Sequence, residues 1–425
     1  MKAPLERRGP RTRRAFLVTS AAALAAPHIA SAQAAGRVVV VGGGFAGATC
    51  ARTLKAIEPR LSVSLVERDR LFTACPFSNG VIGGLRTIEQ QQFTLDDVAR
   101  AGVSVARGTA VGVDGKEIVL DGGARLAFDR LVVAPGIDLN WAALPGYGEA
   151  AAQKMPHAWK AGAQTVLLRR QLEAMDDGGL VIMAVPANPY RCPPGPYERA
   201  SLIAHYLKAK KPKSKLLLLD AKDAFSKQRL FQDAWAKLYP GLIEWVPLAK
   251  GGKVVSVDPA TMTLKTEFAE HKAAVANVIP PQRAGAIAGA AGVADRSFWC
   301  PVEPVSFEST LRPGVHVLGD AAIMGAMPKS AFAANAQAKV CAAAIVARLA
   351  GREPAEPRLI NTCYSLVAPD YGITVAGVYR PTNGRLADIQ GAGGVSPPDA
   401  PAAFRAREAL YAEGWFRTIT AETFG

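Results

Sequence analysis

The 425-residue chain lacks the cysteine patterns that mark metal and haem sites. Its six cysteines lie at positions 50, 75, 192, 300, 341 and 363, and no two of them form a C-x-x-C pair. The motif C-x-x-C-H is absent too, so we predict neither a cysteine zinc cluster nor a c-type haem on this chain. No arginine-rich stripe alternates with aromatic residues, which argues against nucleic-acid binding despite a net charge of +14. We expect the thiols at positions 50 and 341, in alanine-rich helices, to be buried and inert.

No stretch of the chain is apolar enough to cross a bilayer. Residues 1–32 have the pattern of an export signal: the pair Arg13-Arg14 precedes a short apolar run, and Ala30-Ser31-Ala32 supplies small residues for cleavage. Paired arginines predict the twin-arginine route, and therefore a periplasmic mature protein. Removing these residues deletes six cationic side chains and one acid, which lowers the net charge from +14 to +9. A basic surface of this size favours acidic partners or anionic substrates.

A dinucleotide-binding turn begins the mature chain. Four valines run into Gly42, Gly44 and Gly47, which have G-x-G-x-x-G spacing and precede a helical sequence. The glycines allow a tight turn, a close approach of backbone to pyrophosphate, and close packing of helix on strand. A second strand over 61–66 ends at Glu67, twenty residues beyond Gly47, where a carboxylate can accept ribose hydroxyls. Residues 71–84 are predicted to be a loop because Pro, Ser, Asn and Gly interrupt both periodicities.

A second α/β unit is predicted over 151–270, but it lacks a second glycine fingerprint. The corresponding turn runs from Ala184 to Glu198 and carries prolines where glycines would be needed. Proline has no N–H to offer a pyrophosphate, so we predict that this unit does not bind NAD(P)H. Further on, a strand ending at Asp320 and a helix over 328–350 return to the first domain. Asp320 is predicted to accept hydrogen bonds from the ribityl chain of a flavin. A C-terminal helix is predicted over 401–413.

These patterns predict an α/β fold with two Rossmann-like dinucleotide-binding domains, similar to glutathione reductase, and a C-terminal α+β domain. The predicted boundaries are 1–32 for the export signal, 36–150 with 271–350 for a discontinuous FAD-binding domain, 151–270 for the second Rossmann-like domain, and 351–425 for a C-terminal domain that covers the flavin and forms an interface.

Several motifs together resemble the flavoprotein subunit of flavocytochrome c sulfide dehydrogenase. They are the Cys75 loop, the turn from Cys192 to Glu198, Trp299-Cys300-Pro301-Val302, Gly319-Asp320-Ala321, the segment Asn361 to Ser365, and Gly414-Trp415-Phe416. The resemblance covers the whole mature chain. It extends more distantly to sulfide:quinone oxidoreductases, type II NADH dehydrogenases and glutathione reductase.

The resemblance implies that FAD is bound covalently through Cys75 and that Cys192 and Cys363 form a redox-active disulfide above it. Hydrosulfide would open the disulfide by thiol–disulfide exchange. The electrons would pass to FAD and on to a c-type cytochrome subunit in a heterodimer, with sulfur or polysulfide as product. Which cysteine takes the sulfide stays open, and the order of segments suggests Cys363 as the sulfur nearer the flavin. Glu198 is a candidate proton relay, with a capping or surface role as the alternative.

The predicted site residues follow from these motifs. The predicted catalytic residues are Cys192, Cys363 and Glu198. The predicted cofactor-binding residues are Gly42, Gly44, Phe45, Ala46, Gly47, Glu67, Arg68, Cys75, Asn79, Ala134, Gly136, Asp320, Lys329 and Trp415. Two alternatives remain: a sulfide:quinone oxidoreductase, and a non-enzymatic flavin-bearing accessory subunit of a sulfur-oxidation system. The export signal, the absence of an amphipathic C-terminal helix and the cysteine at position 75 favour the cytochrome-linked enzyme.

Overall fold

The computed structural model describes residues 35–425, and the predicted export signal lies outside this range. The helices are α1 Phe45–Ile57, α2 Ser78–Gly83, α3 Asp96–Arg100, α4 Glu149–Ala152, α5 Ala163–Ala174, α6 Gly195–Lys210, α7 Gln228–Leu238, α8 Ile287–Ala290, α9 Ala331–Leu349 and α10 Ala402–Phe424. Short 3-10 helices cover Glu89–Gln91, Trp141–Ala143, Leu248–Lys250 and Gly319–Ala321.

The strands are β1 Arg37–Val41, β2 Ser62–Glu67, β3 Phe72–Thr73, β4 Gln92–Phe93, β5 Ser104–Arg107, β6 Ala110–Asp114, β7 Glu117–Leu120, β8 Arg125–Ala127, β9 Arg130–Val133, β10 Ile137–Leu139, β11 Leu180–Val185, β12 Lys215–Asp220, β13 Ile243–Val246, β14 Val254–Asp258, β15 Thr263–Thr266, β16 Glu270–Lys272, β17 Val275–Val278, β18 Gln282–Ala284, β19 Cys300–Pro301, β20 Val315–Val317, β21 Ala322–Ile323, β22 Leu359–Ala368, β23 Tyr371–Thr382, β24 Arg385–Asp388 and β25 Gly394–Val395.

The first sheet is parallel and has the strand order β20-β9-β1-β2-β5. Its strands read as almost continuous apolar runs because helices cover both faces of a parallel sheet. The valines at positions 38–40 of β1 are accordingly buried. Helices α1 and α9 pack against each other, and each carries one of the predicted inert thiols, Cys50 and Cys341. Both thiols are fully buried, as expected.

The second sheet has the order β13-β12-β11-β17 and is also parallel. Its last member corrects the predicted boundary at residue 270, because β17 pairs with β11 and therefore belongs to the second unit. Sequence periodicity could not reveal this error, since a buried strand has the same apolar pattern in either sheet.

The C-terminal segment forms an antiparallel sheet in which β22 pairs with one edge of β23, and β24 and β25 pair with the other edge; the segment ends in α10. The predicted end of this helix at Glu413 is wrong, because α10 runs through Gly414 to Phe424. Its last turns pack aromatic rings against the first unit, with Phe424 stacked on Phe93 at 5.0 Å. Tertiary packing thus overrides the helix-breaking tendency of one glycine. Within residues 35–425, none of the helices is both long and apolar enough to span a membrane.

Residues 71–84 also differ from the prediction. The segment is a loop at first, but residues 78–83 form the short helix α2. Phe77 precedes it in a left-handed conformation with a φ of 65°, and Gly84 ends it with a φ of 78°. The helix packs against α6 and α5, so burial stabilises a segment whose composition favours turns.

Candidate functional site

The glycine turn after β1 is as tight as its spacing predicts. Gly42 has a φ of +102°, and a Cβ atom there would lie 2.3 Å from the carbonyl oxygen of Ala134. A Cβ atom on Gly47 would lie 1.8 Å from the carbonyl oxygen of Gly42. Side chains at these positions would push α1 away from β1. Because they are absent, the N-terminus of α1 is held against the turn, where its free N–H groups can bind a phosphate.

A cleft of about 510 Å³ extends from this turn across the carboxyl ends of the first sheet. This is the edge where open parallel α/β sheets bind nucleotides. Most of the predicted cofactor-binding residues line the cleft: Gly42, Gly44, Phe45, Ala46, Glu67, Arg68, Cys75, Asn79, Ala134, Gly136, Asp320 and Trp415. The three predicted catalytic residues, Cys192, Glu198 and Cys363, line it as well. Sequence elements more than 300 residues apart therefore share one site.

Two predicted residues do not line the cleft. Gly47 lies behind the turn, where its role is helix packing. The Lys329 ammonium donates to the carbonyl oxygens of Asp320 and Ala322, both at 2.7 Å, and lies 4.0 Å from the centre of the Trp299 ring. Burial lowers the pKa of Lys329 to about 8. The structure therefore places Lys329 as a support for the Asp320 turn and corrects the expectation that it faces a flavin.

The polar groups in the cleft fit a dinucleotide. Glu67 accepts hydrogen bonds from the backbone N–H groups of Gly43, at 2.7 Å, and Asp69, at 3.0 Å, which fix its carboxylate at the end of β2. Within residues 35–425, the Asp320 Oδ1 atom is buried without a hydrogen-bond partner, although it lines the cleft. An unpaired buried carboxylate oxygen is costly unless a donor satisfies it. A hydroxyl of a bound sugar or ribityl chain would supply that donor, so these residues fit FAD.

Cys75 lies in a positively charged part of the cleft. Its Sγ atom is 3.7 Å from the carbonyl oxygen of Trp159, to which the thiol donates a weak hydrogen bond. The same carbonyl oxygen accepts from the Arg191 guanidinium. The guanidinium of Arg199 lies 5.0 Å from the Trp159 ring. The Cys75 loop thus lies beside two guanidinium-bearing side chains that also contact the Trp159 segment.

Arg199 is fully buried and holds the cleft wall together. It donates to the side-chain oxygens of Asn79, at 3.0 Å, and Asn277, at 2.9 Å, and to the backbone carbonyl oxygens of His157 and Ala158. These partners come from α2, β17 and the segment before α5. One side chain therefore joins the Cys75 loop to the second sheet, and burial lowers the pKa of its guanidinium.

Cys192 lies in the proline-rich turn between β11 and α6. Its backbone is left-handed, with a φ of 56°, and its N–H donates to the carbonyl oxygen of Lys329 at 2.9 Å. A left-handed conformation is unfavourable for a residue with a Cβ atom and persists only where the surroundings enforce it. Gly195 leaves room beside it, because a Cβ atom there would lie 2.9 Å from a Trp159 ring carbon and 3.0 Å from the Cys192 Sγ atom.

Cys363 lies in the middle of β22, opposite Val375 of β23. It lines the main cleft and also a second cavity of about 240 Å³. The face of the β22–β23 ladder that carries Asn361, Cys363, Val375, Gly377 and Tyr379 forms one wall of this cavity. The remaining lining residues are Pro193, Pro194, Ser226, Ala326, Pro328, Ser330 and Ala376, so the lining contains no charged side chain. Cys363 is thus accessible from two sides.

The two cysteines share one electrostatic environment. Both are free thiols in this structure, and the disulfide stays a prediction. Burial raises the pKa of each thiol, and a charge on Cys363 would raise the pKa of Cys192 further. Glu198 acts in the same direction on both, whereas Lys227 opposes the rise at both. In the reduced protein, burial therefore favours the neutral form of both thiols.

Glu198 joins the two cysteine-bearing segments. One carboxylate oxygen accepts from the backbone N–H of Leu366 on β22, at 2.8 Å, and the other accepts from the Asn79 side chain, at 2.7 Å. Burial raises the pKa of Glu198, which is the direction expected for a carboxyl group that relays protons. The surface role considered as an alternative is wrong, because this carboxylate lines the cleft and bridges two units.

Side chains occupy the corresponding position of the second unit. Asp220 ends β12, where an acid would bind ribose, but it is fully buried. Its carboxylate accepts from Lys222 at 2.6 Å, Tyr197 at 2.6 Å and Trp245 at 3.1 Å. Phe225 stacks on Tyr197 with ring centres 3.5 Å apart. Side chains therefore fill the place that a ribose would take, which supports the prediction that this unit does not bind NAD(P)H.

Sequence reasoning missed several functional candidates. Arg191 and Arg199 flank the Cys192–Glu198 turn in the chain, so their proximity to the site could have been found. Lys227 begins a helix far from any motif, and no local signal marks it. Only the fold brings its ammonium to Cys363.

The fold defines a class of proteins. Residues 36–172 match the family model described as pyridine nucleotide-disulphide oxidoreductase. The sulfide:quinone oxidoreductase of Aquifex aeolicus is similar in fold, with a TM-score of 0.70 at 15% identity over 91% of this chain and 92% of that chain. An NAD-dependent persulfide reductase from A. fulgidus gives a TM-score of 0.58 at 16% identity, over 89% of this chain and 77% of that one.

Closer sequence matches identify the family within this class. Residues 165–280 match the model described as the central part of the sulfide dehydrogenase [flavocytochrome c] flavoprotein chain, and residues 355–424 match that of flavocytochrome c sulphide dehydrogenase, flavin-binding. The sulfide dehydrogenase [flavocytochrome c] flavoprotein chain of Chlorobaculum thiosulfatiphilum is 58% identical over 45 residues, which are 11% of this chain and 94% of that relative. The chain belongs to the family of flavocytochrome c sulfide dehydrogenase flavoprotein chains.

Proposed function

We propose that this chain is a periplasmic, FAD-dependent sulfide dehydrogenase that passes electrons to a c-type cytochrome subunit. One observation carries the proposal: a single cleft brings a dinucleotide-binding turn together with Cys75, Cys192, Cys363 and Glu198. A glycine turn alone would suit many dehydrogenases. Two further thiols and a buried carboxylate in the same cleft suit the oxidation of a sulfur nucleophile. Family membership supports the flavin and the sulfide.

The chemistry begins with a disulfide between Cys192 and Cys363. Hydrosulfide attacks one sulfur, a new S–S bond forms, and the old bond breaks. The products are a persulfide on the attacked cysteine and a thiolate on the other, so the two electrons lost by sulfide now reside in the cysteine pair. Bound FAD would supply an acceptor for these two electrons. Glu198 is placed to exchange the proton that hydrosulfide brings.

The second cavity offers sulfide a route to the pair. It reaches Cys363 from outside the flavin cleft, and its uncharged lining suits a growing chain of neutral sulfur. Sulfide entry by this route favours attack on Cys363. Peptide mass spectrometry after brief anaerobic exposure to sulfide would show the persulfide on Cys363, and a persulfide found on Cys192 would reverse this assignment.

Covalent attachment of FAD through Cys75 is part of the proposal. The thiol lines the cleft together with the glycine turn and Asp320, so it is within the site that would hold the flavin. After denaturation and precipitation, the wild-type protein should retain its yellow flavin, and the Cys75→Ser variant should release it. Complete release from the wild type would remove the covalent bond from the account.

Anaerobic titration with sulfide tests the function directly. Sulfide should bleach the visible flavin absorbance, and the reduced protein should reduce a c-type cytochrome. The sulfide:quinone oxidoreductase alternative has support in the similar fold of the Aquifex aeolicus enzyme. Reduction of a quinone analogue with no reduction of cytochrome c would favour that alternative. A flavin that sulfide never reduces would favour the non-enzymatic accessory subunit.

A further inference from the structure

A buried lysine lies directly behind the cysteine pair. Lys227 precedes α7, in the loop that follows β12, and its ammonium reaches across to the C-terminal sheet. It donates to the carbonyl oxygen of Cys363 at 2.9 Å, to Ser365 Oγ at 2.8 Å and to the carbonyl oxygen of Ile373 at 3.3 Å. All three of these partners are neutral oxygen atoms. A buried ammonium is expensive unless an anion compensates it, so the site is prepared for a negative charge.

The backbone at Lys227 shows that the position is enforced. Its φ is 62°, which lies in the left-handed region that disfavours residues other than glycine. Cys192 has the same kind of conformation, with a φ of 56°. Unfavourable backbone conformations persist where surrounding contacts enforce them, and they concentrate at functional sites. Here one lies at a cysteine of the pair and the other at the cation behind that pair.

The charged groups around the cysteine pair act on the pKa values of the two thiols in opposite directions. The charged and titratable groups that act on Cys192, Cys363 or the Lys227 ammonium are the two thiols and the following side chains: Arg191, Arg199, Glu198, Lys227, Tyr190, Tyr379 and Glu408. For Cys363, burial raises the pKa of the thiol, and Lys227 is the strongest charged group that opposes this rise. Glu198 acts against Lys227, but burial raises the pKa of Glu198 and so weakens its negative charge.

We propose that Lys227 is a positioning residue that fixes the Cys363 strand and stabilises the negative charge that forms on the cysteine pair when sulfide opens its disulfide. This inference rests on the proposed function, and it assigns a role to a residue outside both predicted residue sets. Disulfide opening leaves one negative charge for each hydrosulfide that enters. After attack on Cys363 this charge is on the Cys192 thiolate or, after proton transfer, on the Cys363 persulfide, and Lys227 acts on both sulfurs. Lys227 supplies the opposite charge from the protein, so the cleft needs no counterion from solvent.

The test measures thiol ionisation in the reduced, flavin-containing protein. Iodoacetamide alkylates thiolates, so its rate at Cys192 and Cys363, followed by peptide mass spectrometry across a pH series, reports their ionisation. Lys227→Met removes the charge and retains most of the length, and Lys227→Arg keeps the charge. The matched control is Lys237→Met, which removes an exposed lysine from α7, the helix that Lys227 precedes.

We expect the alkylation of Cys363 at a fixed pH to fall at least about tenfold in Lys227→Met, which corresponds to a rise of one unit in its pKa. Lys227→Arg and the Lys237→Met control should follow the wild-type profile. If Lys227 had only a structural role, Lys227→Met and Lys227→Arg would have the same effect on the alkylation of Cys363. Unchanged Cys363 alkylation in a folded, flavin-containing Lys227→Met protein would overturn the proposal.

A measurement on the wild type covers the case in which the neutral variant does not fold. In protein with isotope-labelled lysine side chains, the Lys227 signal is assigned by its loss in Lys227→Arg. Because coupling between charges is reciprocal, this lysine should titrate at higher pH when the cysteines are reduced than when they form a disulfide. Titration at the same pH in both states would contradict the proposal. Failure of the cysteines to form any disulfide would instead contradict the proposed function, while the alkylation profiles would still test Lys227.

Discussion

Replacing Gly47 by alanine should damage the cleft from behind, because Gly47 itself does not line the cleft but packs against the backbone of Gly42, which does. The added Cβ atom would lie 1.8 Å from the carbonyl oxygen of Gly42 and 3.2 Å from a Val40 methyl group. Real Cβ contacts are essentially never below 3.0 Å, so α1 and the turn must separate by about 1.2 Å. Helix α1 cannot recede freely, because α9 and α10 pack against it.

The cost follows from that crowding. Overpacking a well-filled core destabilises a protein by about 1–3 kcal/mol. The new Cβ atom clashes with a backbone atom, which cannot rotate away as a side chain can, so we expect a loss at the upper end of this range. We therefore expect a fall of several degrees in the melting temperature of the Gly47→Ala protein. Because the N-terminus of α1 moves away from the turn, we also expect weaker retention of FAD in the Cys75→Ser background, where the flavin is not covalently bound.

Gly414→Ala provides the matched control. This glycine is in the interior of α10, and a Cβ atom there would meet nothing within 4 Å. Alanine is better than glycine inside a helix by roughly 0.5–1 kcal/mol, so this variant should be slightly more stable than the wild type. Thermal melts, together with the fluorescence of flavin released in the Cys75→Ser background, distinguish the two variants. A Gly47→Ala protein that melts with the wild type and retains its flavin would refute the role assigned to the turn.

Three further predictions concern other parts of the structure. Asp220→Asn should destabilise the protein by about 3–5 kcal/mol, because it leaves the buried Lys222 ammonium without its anionic partner. Denaturant melts would show this loss. The control Asp129→Asn breaks a surface ion pair and should leave the melt almost unchanged. Burial lowers the pKa of His157 to about 3, below its ordinary value of 6.5. The unfolded chain therefore binds one more proton, and stability is lost as the pH falls from 6.5 toward 3. In His157→Gln, the free energy of unfolding from urea melts should depend less on pH over that range, and an unchanged slope would contradict this assignment. Glu198→Gln should keep the flavin but remove an inflection from the pH profile of flavin reduction by sulfide. In the wild type this inflection should lie above the ordinary carboxyl range, because burial raises the pKa of Glu198. Stopped-flow absorbance measures the profile, and an inflection that persists in the variant would exclude Glu198 as the proton relay.

Local patterns predicted the parts of the fold that depend on local chemistry. The Val-rich strand, the glycine turn and the acid at position 67 have the expected arrangement because backbone sterics and burial determine them directly. The proline-rich turn lies between β11 and α6 of the second unit, as the pattern predicted. The Asp220 cluster fills the end of β12, and the lack of an NAD(P)H site there stays a prediction.

The remaining features depend on contacts between distant segments. Strand β17 joins the second sheet although its sequence would suit either sheet. Helix α10 continues past Gly414 because its last turns pack on Phe72 and Phe93. Lys329 turns away from the cleft toward Asp320 and Trp299. Lys227 is the clearest example of a site residue that local sequence could not predict, since it lies 136 positions before Cys363, whose carbonyl group it binds.

Sulfide titration of the flavin in the cysteine variants tests the central claim most directly. The wild-type protein, kept anaerobic, should lose its visible flavin absorbance when sulfide is added and recover it when oxidised cytochrome c follows. Cys192→Ser and Cys363→Ser should each bind the flavin normally and show no bleaching by sulfide, although dithionite should still reduce both. Bleaching by sulfide at the wild-type rate in either variant would show that the electrons reach the flavin without the cysteine pair, and would contradict the account.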